Sequence, residues 1–222
     1  MSAGQTRRVQ RPKMAKTDRV YPDWLIEAFD VPRETRERIE LVLSCLDDWR
    51  TKLNLIGPSE WDHVWARHVL DSLQLLPIIP SGPVLDLGSG AGFPGLLIAA
   101  SRESGPDNQV TLVESVAKKC AFLNAAISAA NLNARVLNAR AESIEPFPVG
   151  SVTARALAPL PKLLAYVQPW LSNGAIGVFP KGKSWQEELP EAKKTWTFAS
   201  QTIPSHTSDD GVILRISELK RA

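Results

Sequence analysis

The sequence predicts an α/β protein: a mostly parallel sheet of seven strands with helices on both faces, and a layer of helices ahead of it. Three observations predict it. From Pro83 onward, short apolar runs alternate with segments of helical length, the pattern of strand–helix–strand units. A glycine-rich stretch, PVLDLGSGAGFPG (83–95), follows the first of those runs. The last two runs, TWTFASQTI and GVILRISEL, are joined by the turn-rich PSHTSDDG, which reads as an antiparallel hairpin at the sheet edge.

The elements justify themselves in chain order. Residues 1–20 hold six of the 26 basic residues and one of the 24 acidic ones, leaving 20 against 23, or net −3, for the rest of the chain. A solvated tail over 1–20 and a helical layer over 21–80 precede the main domain, 81–222, against which that layer packs. DWLIEAF (23–29) and residues 31–56 read as helices, with Pro32 in a first turn. Ile39, Val42, Leu43, Leu46, Trp49 and Leu53 recur at spacings of three and four and form one apolar stripe. A further helix is expected over 59–76, capped by Ser59. Strands then follow at PVLDLG, VTLVES, ARVLNAR, VTARAL and AIGVFPKG, with helices at FPGLLIAAS, AKKCAFLNAAISAAN, LPKLLAYVQPWL and SWQEELPEAKK between or after them.

Composition narrows the function. Hydrophobic content of 44% with 23% charged residues describes a soluble globular chain, and no apolar run approaches the ~20 residues of a membrane span. The basic start lacks the apolar segment of a secretory signal, although it also fits an organellar transit peptide. Cys45 and Cys120 fall in helical, apolar contexts and read as reduced thiols. His63, His68 and His206 have no zinc-ligand spacing, so no metal is expected.

In parallel sheets ligands bind beyond the carboxyl ends of the strands, so the residues ending each strand are the candidates. Gly90 to Gly95 is a literal G-x-G-x-x-G, a weak signal by itself. Asp86, two residues before Gly88, decides between ligands. A carboxylate repels a pyrophosphate, and more strongly as water is excluded, whereas it favours the ammonium and sulfonium of S-adenosylmethionine. Glu114 ends the second strand 24 residues after Gly90, placed to accept hydrogen bonds from a ribose diol. Asn138 to Glu142 follow the third strand and would line an adenine pocket; Arg155 puts one cation on the same rim. Each has a plainer reading: a turn cap, a solvated strand end, a surface ion pair. Together they favour a methyl donor over NAD.

With those residues in place the chain resembles the RsmG family (glucose-inhibited division protein B) of bacterial 16S rRNA guanine-N7 methyltransferases. RHVLDSL (67–73) followed at short range by VLDLGSGAGFPG, the ARAL segment at 154–157 and the W-x-x-x-x-N-L pattern from Trp49 carry the resemblance. It implies a Rossmann-like class I S-adenosylmethionine-dependent fold and methylation of N7 of guanine 527. It also implies 16S rRNA or the small ribosomal subunit as partner, a cytoplasmic location, and no membrane; a monomer is expected. By resemblance Gly88, Phe93, Ala141, Glu142 and Arg155 would contact the donor, beside Asp86, Gly90 and Glu114. Lys118, Arg140 and Lys181 would be functional cations on the RNA side. The basic tail and NLIGPSEW lie outside the family pattern.

RHVLDSL on its own allows two readings: a structural brace, with Arg67 and Asp71 one turn apart as an ordinary ion pair, or an RNA contact. No general base is called for, since guanine N7 carries a lone pair and no proton. The alternatives are methylation of another RNA position or of a small molecule, an NAD-dependent oxidoreductase, and a binding-only RNA module.

Overall fold

A computed structural model describes residues 31–222; the basic tail and the 23–29 segment lie outside the described residues. The order of elements is α1 (Arg33–Arg50), α2 (Pro58–Trp61), a π-helical stretch (Trp65–Leu70) running into α3 (Asp71–Leu73), β1 (Val84–Leu87) and α4 (Gly95–Ala100). Then come β2 (Val110–Glu114), α5 (Ala117–Ala129), β3 (Ala134–Asn138), β4 (Ser151–Thr153), α6 (Leu160–Leu171), β5 (Ile176–Lys181) and α7 (Trp185–Ala192). β6 (Trp196–Pro204) and β7 (Val212–Arg221) close the chain.

The seven strands form one sheet in the order β3-β2-β1-β4-β5-β7-β6. The first five pair in parallel, while β7 runs antiparallel to both β5 and β6. Every residue of β1 and β2 is buried, as expected of central strands covered on both faces. One core holds Ile39, Val42, Leu46, Trp65 and Leu73 with Leu96, Phe122 and Val178. The other packs Leu85, Leu87, Leu164, Trp170 and Leu214 on the opposite face. The helices before the sheet therefore share a core with it. The order reverses direction between β1 and β4, the switch point where a crevice opens at the strand ends.

Three local expectations change. The long helix expected over 31–56 stops at Arg50, and Pro32 precedes its first turn. Ser59 is not the cap of the next helix: Gly57 is, with Pro58 in the first turn, and the Glu60 carboxylate accepts the Gly57 amide proton at 2.9 Å. The continuous helix expected over 59–76 is instead broken into α2, the π-helical stretch and α3. In a π-helix the hydrogen bonds reach five residues back, which widens the turn so that positions four apart no longer stack. Arg67 and Asp71 accordingly do not pair; Asp71 pairs with Arg155, from the end of β4, at 3.1 Å.

Candidate active site at the switch point

Asp86, the third of the four buried residues of β1, is 1% exposed. It lies within the sheet against the Gly95 end of the glycine loop. Its Oδ1 accepts the Thr153 hydroxyl at 2.8 Å from the neighbouring β4. Burial pushes its carboxyl up to about 6, against the pull of the Ser89 and Thr153 hydroxyls, Arg155 and the Gly95 amide. The loop itself is closed by Glu114. One carboxylate oxygen accepts the Gly90 amide at 3.0 Å and the other the Val116 amide at 2.8 Å. Each oxygen keeps a second lone pair.

Two glycines in this loop have distinct reasons to be glycine. Gly90 has φ +55°, a backbone conformation that disfavours a side chain, and a Cβ there would meet nothing closer than 3.8 Å. Its open face lets a ligand approach the backbone. Gly95 is the opposite case: a Cβ would fall 2.6 Å from Asp86 Oδ2 and collide with Leu112. Gly95→Ala is therefore expected to cost about 1–3 kcal/mol of folding stability through overpacking. Urea denaturation checks it; an unchanged midpoint would mean that the loop yields freely.

Arg155 gathers the rest of the site. Its guanidinium donates to the Asp71 carboxylate at 3.1 Å, the Arg67 carbonyl at 3.2 Å and His68 Nδ1 at 2.9 Å. It also lies over the Phe93 ring, 5.5 Å from its centroid. Phe93 in turn stacks on His68 with centroids 4.8 Å apart. Since a guanidinium only donates, His68 Nδ1 accepts and its proton sits on Nε2. Burial, then the Arg155 charge, lower the imidazole to about 4, so His68 is neutral. Phe93, in the glycine loop, is thus clamped between the RHVLDSL segment and Arg155.

Beside this clamp, over the ends of β4 and β5, lies a cavity of about 800 Å³ whose walls include Arg67, His68, Asp71, Arg155, Ser205 and Thr207. The sequence offered no sign of its far wall. Gln74, 3% exposed, holds the β6–β7 turn in place by accepting the His206 amide at 2.8 Å and donating to Asp71 at 2.9 Å. Thr207 donates to Asp71 at 2.8 Å. Gln74 and Thr207 are separated by 133 positions, and no local pattern links them.

The remaining expected residues are spread around the rim. Ala141 and Glu142 form a short 3₁₀ turn after β3, and Glu142 is half exposed. Asn138, ahead of that turn, donates to the Glu114 carbonyl at 2.9 Å. Lys118 is exposed in the first turn of α5, and Arg140 is exposed with Glu142 3.9 Å away. Lys181, the third cation expected on the RNA side, is largely enclosed. Its side chain is 10% exposed, and its ammonium donates to Glu188 at 2.8 Å and to the Ala158 carbonyl at 2.9 Å.

Comparison with known proteins bears on the family and the fold. The family described as rRNA small subunit methyltransferase G matches residues 35–211. Ribosomal RNA small subunit methyltransferase G of Hyphomonas neptunium is 55% identical over 197 residues, covering 88% of this chain and 94% of that protein. The protein of the same name from Methylobacterium nodulans is 48% identical, covering 93% of this chain and 98% of its own length. Among solved structures, an O-methyltransferase from Bacillus cereus in complex with SAH aligns with a TM-score of 0.55 at 14% identity, over 88% of this chain and 96% of that one. That likeness speaks for the shared fold, a Rossmann-like class I methyltransferase sheet. The chain belongs to the rRNA small subunit methyltransferase G family.

Proposed function

We propose that the protein methylates N7 of a single guanine, position 527, in 16S ribosomal RNA, with S-adenosylmethionine as the methyl donor, in the cytoplasm. The residues present fit that donor. Gly90 leaves open backbone, Glu114 keeps acceptor capacity for a ribose diol, and Ala141 and Glu142 sit beyond β3 where an adenine would lie. Asp86 lends negative charge from within the sheet, and Gly88, Phe93 and Arg155 complete the contact set. Bound there, the donor supplies an electrophilic methyl group carried on a sulfonium.

The observation that carries the reading is the state of the bases around the cavity. Asp71 is paired with Arg155 and takes hydrogen bonds from Gln74 and Thr207. Glu188 is paired with Lys181, and Glu60 accepts the Gly57 amide. His68 is neutral with Nδ1 engaged. A nucleophile that must shed a proton is served by a poised base within reach; here each such group already holds at least one hydrogen bond, and Asp71, Glu188 and His68 are each tied to a cation. Guanine N7 has nothing to shed. What it needs is to be held in line with the methyl carbon, and a rigid wall of committed polar groups does that. The exposed Lys118 and Arg140 beside the strand ends supply phosphate contacts that hold the RNA without reading its sequence.

The test is to delete the gene and map N7-methylguanine along 16S rRNA. Loss confined to position 527, restored by wild type and not by Arg155→Ala, is the expected result. Unchanged methylation would overturn the reading, and loss elsewhere would redirect it to another RNA position. Binding of NAD without binding of S-adenosylhomocysteine would instead favour an oxidoreductase.

A further inference from the structure

The turn between β4 and α6, residues 154–159, carries Arg155 to the cavity and is held in an unfavourable shape. Ala156 has φ +54°, a left-handed conformation that costs an alanine about 1–2 kcal/mol. Next to it, Leu157 fills the space above Gly88: a Cβ on that glycine would fall 2.7 Å from Leu157 Cδ1. The turn therefore sets two things together, the place of the Arg155 guanidinium and the packing of the donor loop. Such a conformation persists only where surrounding contacts over-determine it.

Those contacts converge on one ion pair. Lys181 Nζ, at the end of β5, donates to the Ala158 carbonyl within the turn at 2.9 Å and to Glu188 Oε2 at 2.8 Å. The same Glu188 oxygen accepts the Leu160 amide, the first residue of α6, at 2.7 Å. Glu188 Oε1 accepts the Ser184 hydroxyl at 2.6 Å. Burial acts to raise the Glu188 carboxyl, but the Lys181 ammonium, the Ser184 hydroxyl and the Leu160 amide outweigh it and hold it below the usual range. A carboxylate from α7 thus caps α6 and a lysine from β5 grips the carbonyl two residues earlier. The strained turn is fastened at both points.

Building on the methyl-transfer reading, we propose that Lys181 and Glu188 are positioning residues for methyl transfer. Their pair locks the 154–160 segment so that Arg155 faces the cavity while Leu157 supports Gly88, and the Lys181 charge acts within the protein rather than on RNA phosphate. Glu188 has no counterpart among the residues expected from the sequence. Two of the three Lys181 N–H groups are spent on the brace, which leaves little for a phosphate.

Lys181→Met and Glu188→Gln separate the two roles. Both are purified and assayed with 16S rRNA substrate for kcat and KM, for rRNA affinity across a range of salt, and for S-adenosylhomocysteine binding. If the pair positions the turn, each variant lowers kcat about tenfold or more and the double variant is no worse than either single one. In that case rRNA affinity and its salt slope stay at the wild-type values. If Lys181 contacts a phosphate, Lys181→Met weakens rRNA binding and reduces the salt slope by about one contact. Glu188→Gln, which removes an anion, would then leave kcat intact; that pair of results overturns the proposal. Glu188→Gln is isosteric and decides alone if Lys181→Met fails to fold. Wild type without any transfer to rRNA would refute the methyl-transfer reading before either variant is compared.

Discussion

Asp86→Asn is expected to separate stability from donor binding in opposite directions. In the native state burial lifts the Asp86 carboxyl from its ordinary 3.8 to about 6, so the folded protein holds that proton more tightly than the unfolded chain. The resulting stabilisation is complete below about pH 4 and is lost as pH rises through 6. The gap corresponds to about 3 kcal/mol. Asparagine does not titrate and keeps an oxygen for the Thr153 hydroxyl. The stability of the variant relative to wild type should thus climb between pH 4 and 6 by up to ~3 kcal/mol and then level off. Urea denaturation at pH 4, 5, 6 and 7.5 measures it, and a difference independent of pH would refute the assignment. Binding should move the other way. At pH 7.5 S-adenosylhomocysteine affinity should fall tenfold or more in the variant, about 1.4 kcal/mol. Wild-type affinity should weaken below pH 6, where protonation removes the charge. Calorimetric titration of both proteins reads this directly. A residue that costs stability and supports a ligand is the trade-off expected of functional sites.

Arg155→Ala and Arg155→Lys should each lower kcat/KM on rRNA by 100-fold or more, equal to about 2.7 kcal/mol of transition-state stabilisation. One planar fork satisfies the Asp71 carboxylate, the Arg67 carbonyl and His68 Nδ1 while covering Phe93. A lysine ammonium is a point donor and cannot span them. Folding stability should drop by only about 1–2 kcal/mol, because Asp71 keeps its Gln74 and Thr207 donors. His68 reports the change independently. With the Arg155 charge removed its imidazole should titrate above the present value of about 4, still below the ordinary 6.5 because burial remains the larger cause. Proton NMR of the ring follows this in Arg155→Ala. An unmoved His68 would show that the guanidinium does not lie where the clamp requires.

Much of this site could be read along the chain because its parts are local. Asp86, Gly88 and Gly90 stand within one turn, and strand periodicity places Glu114 at the end of β2. Arg155 was placed on the rim by its position at a strand end and Phe93 by the family motif, and only folding shows that they touch through His68. The Arg67–Asp71 pair failed as an expectation because it assumed α-helical geometry where the chain is π-helical. The enclosure of Lys181 could not be foreseen for another reason. Nothing in AIGVFPKG tells whether a carboxylate seven residues on, in a separate helix, will turn back to meet it.

What the amino-acid order by itself determined was the succession of strands and helices, the glycine loop and the acids flanking it. These depend on hydrophobic periodicity, backbone freedom at glycine and charge near a strand end, all of which act over a few residues. What only the tertiary structure decided was which charges remain available. Asp71, Lys181 and Glu188 are committed by partners brought from distant elements, and the cavity wall exists because Gln74 meets a turn more than 130 positions away. Ion pairs and buried hydrogen bonds are made in space after the sheet has assembled, so their partners are set by topology and not by neighbours in the chain.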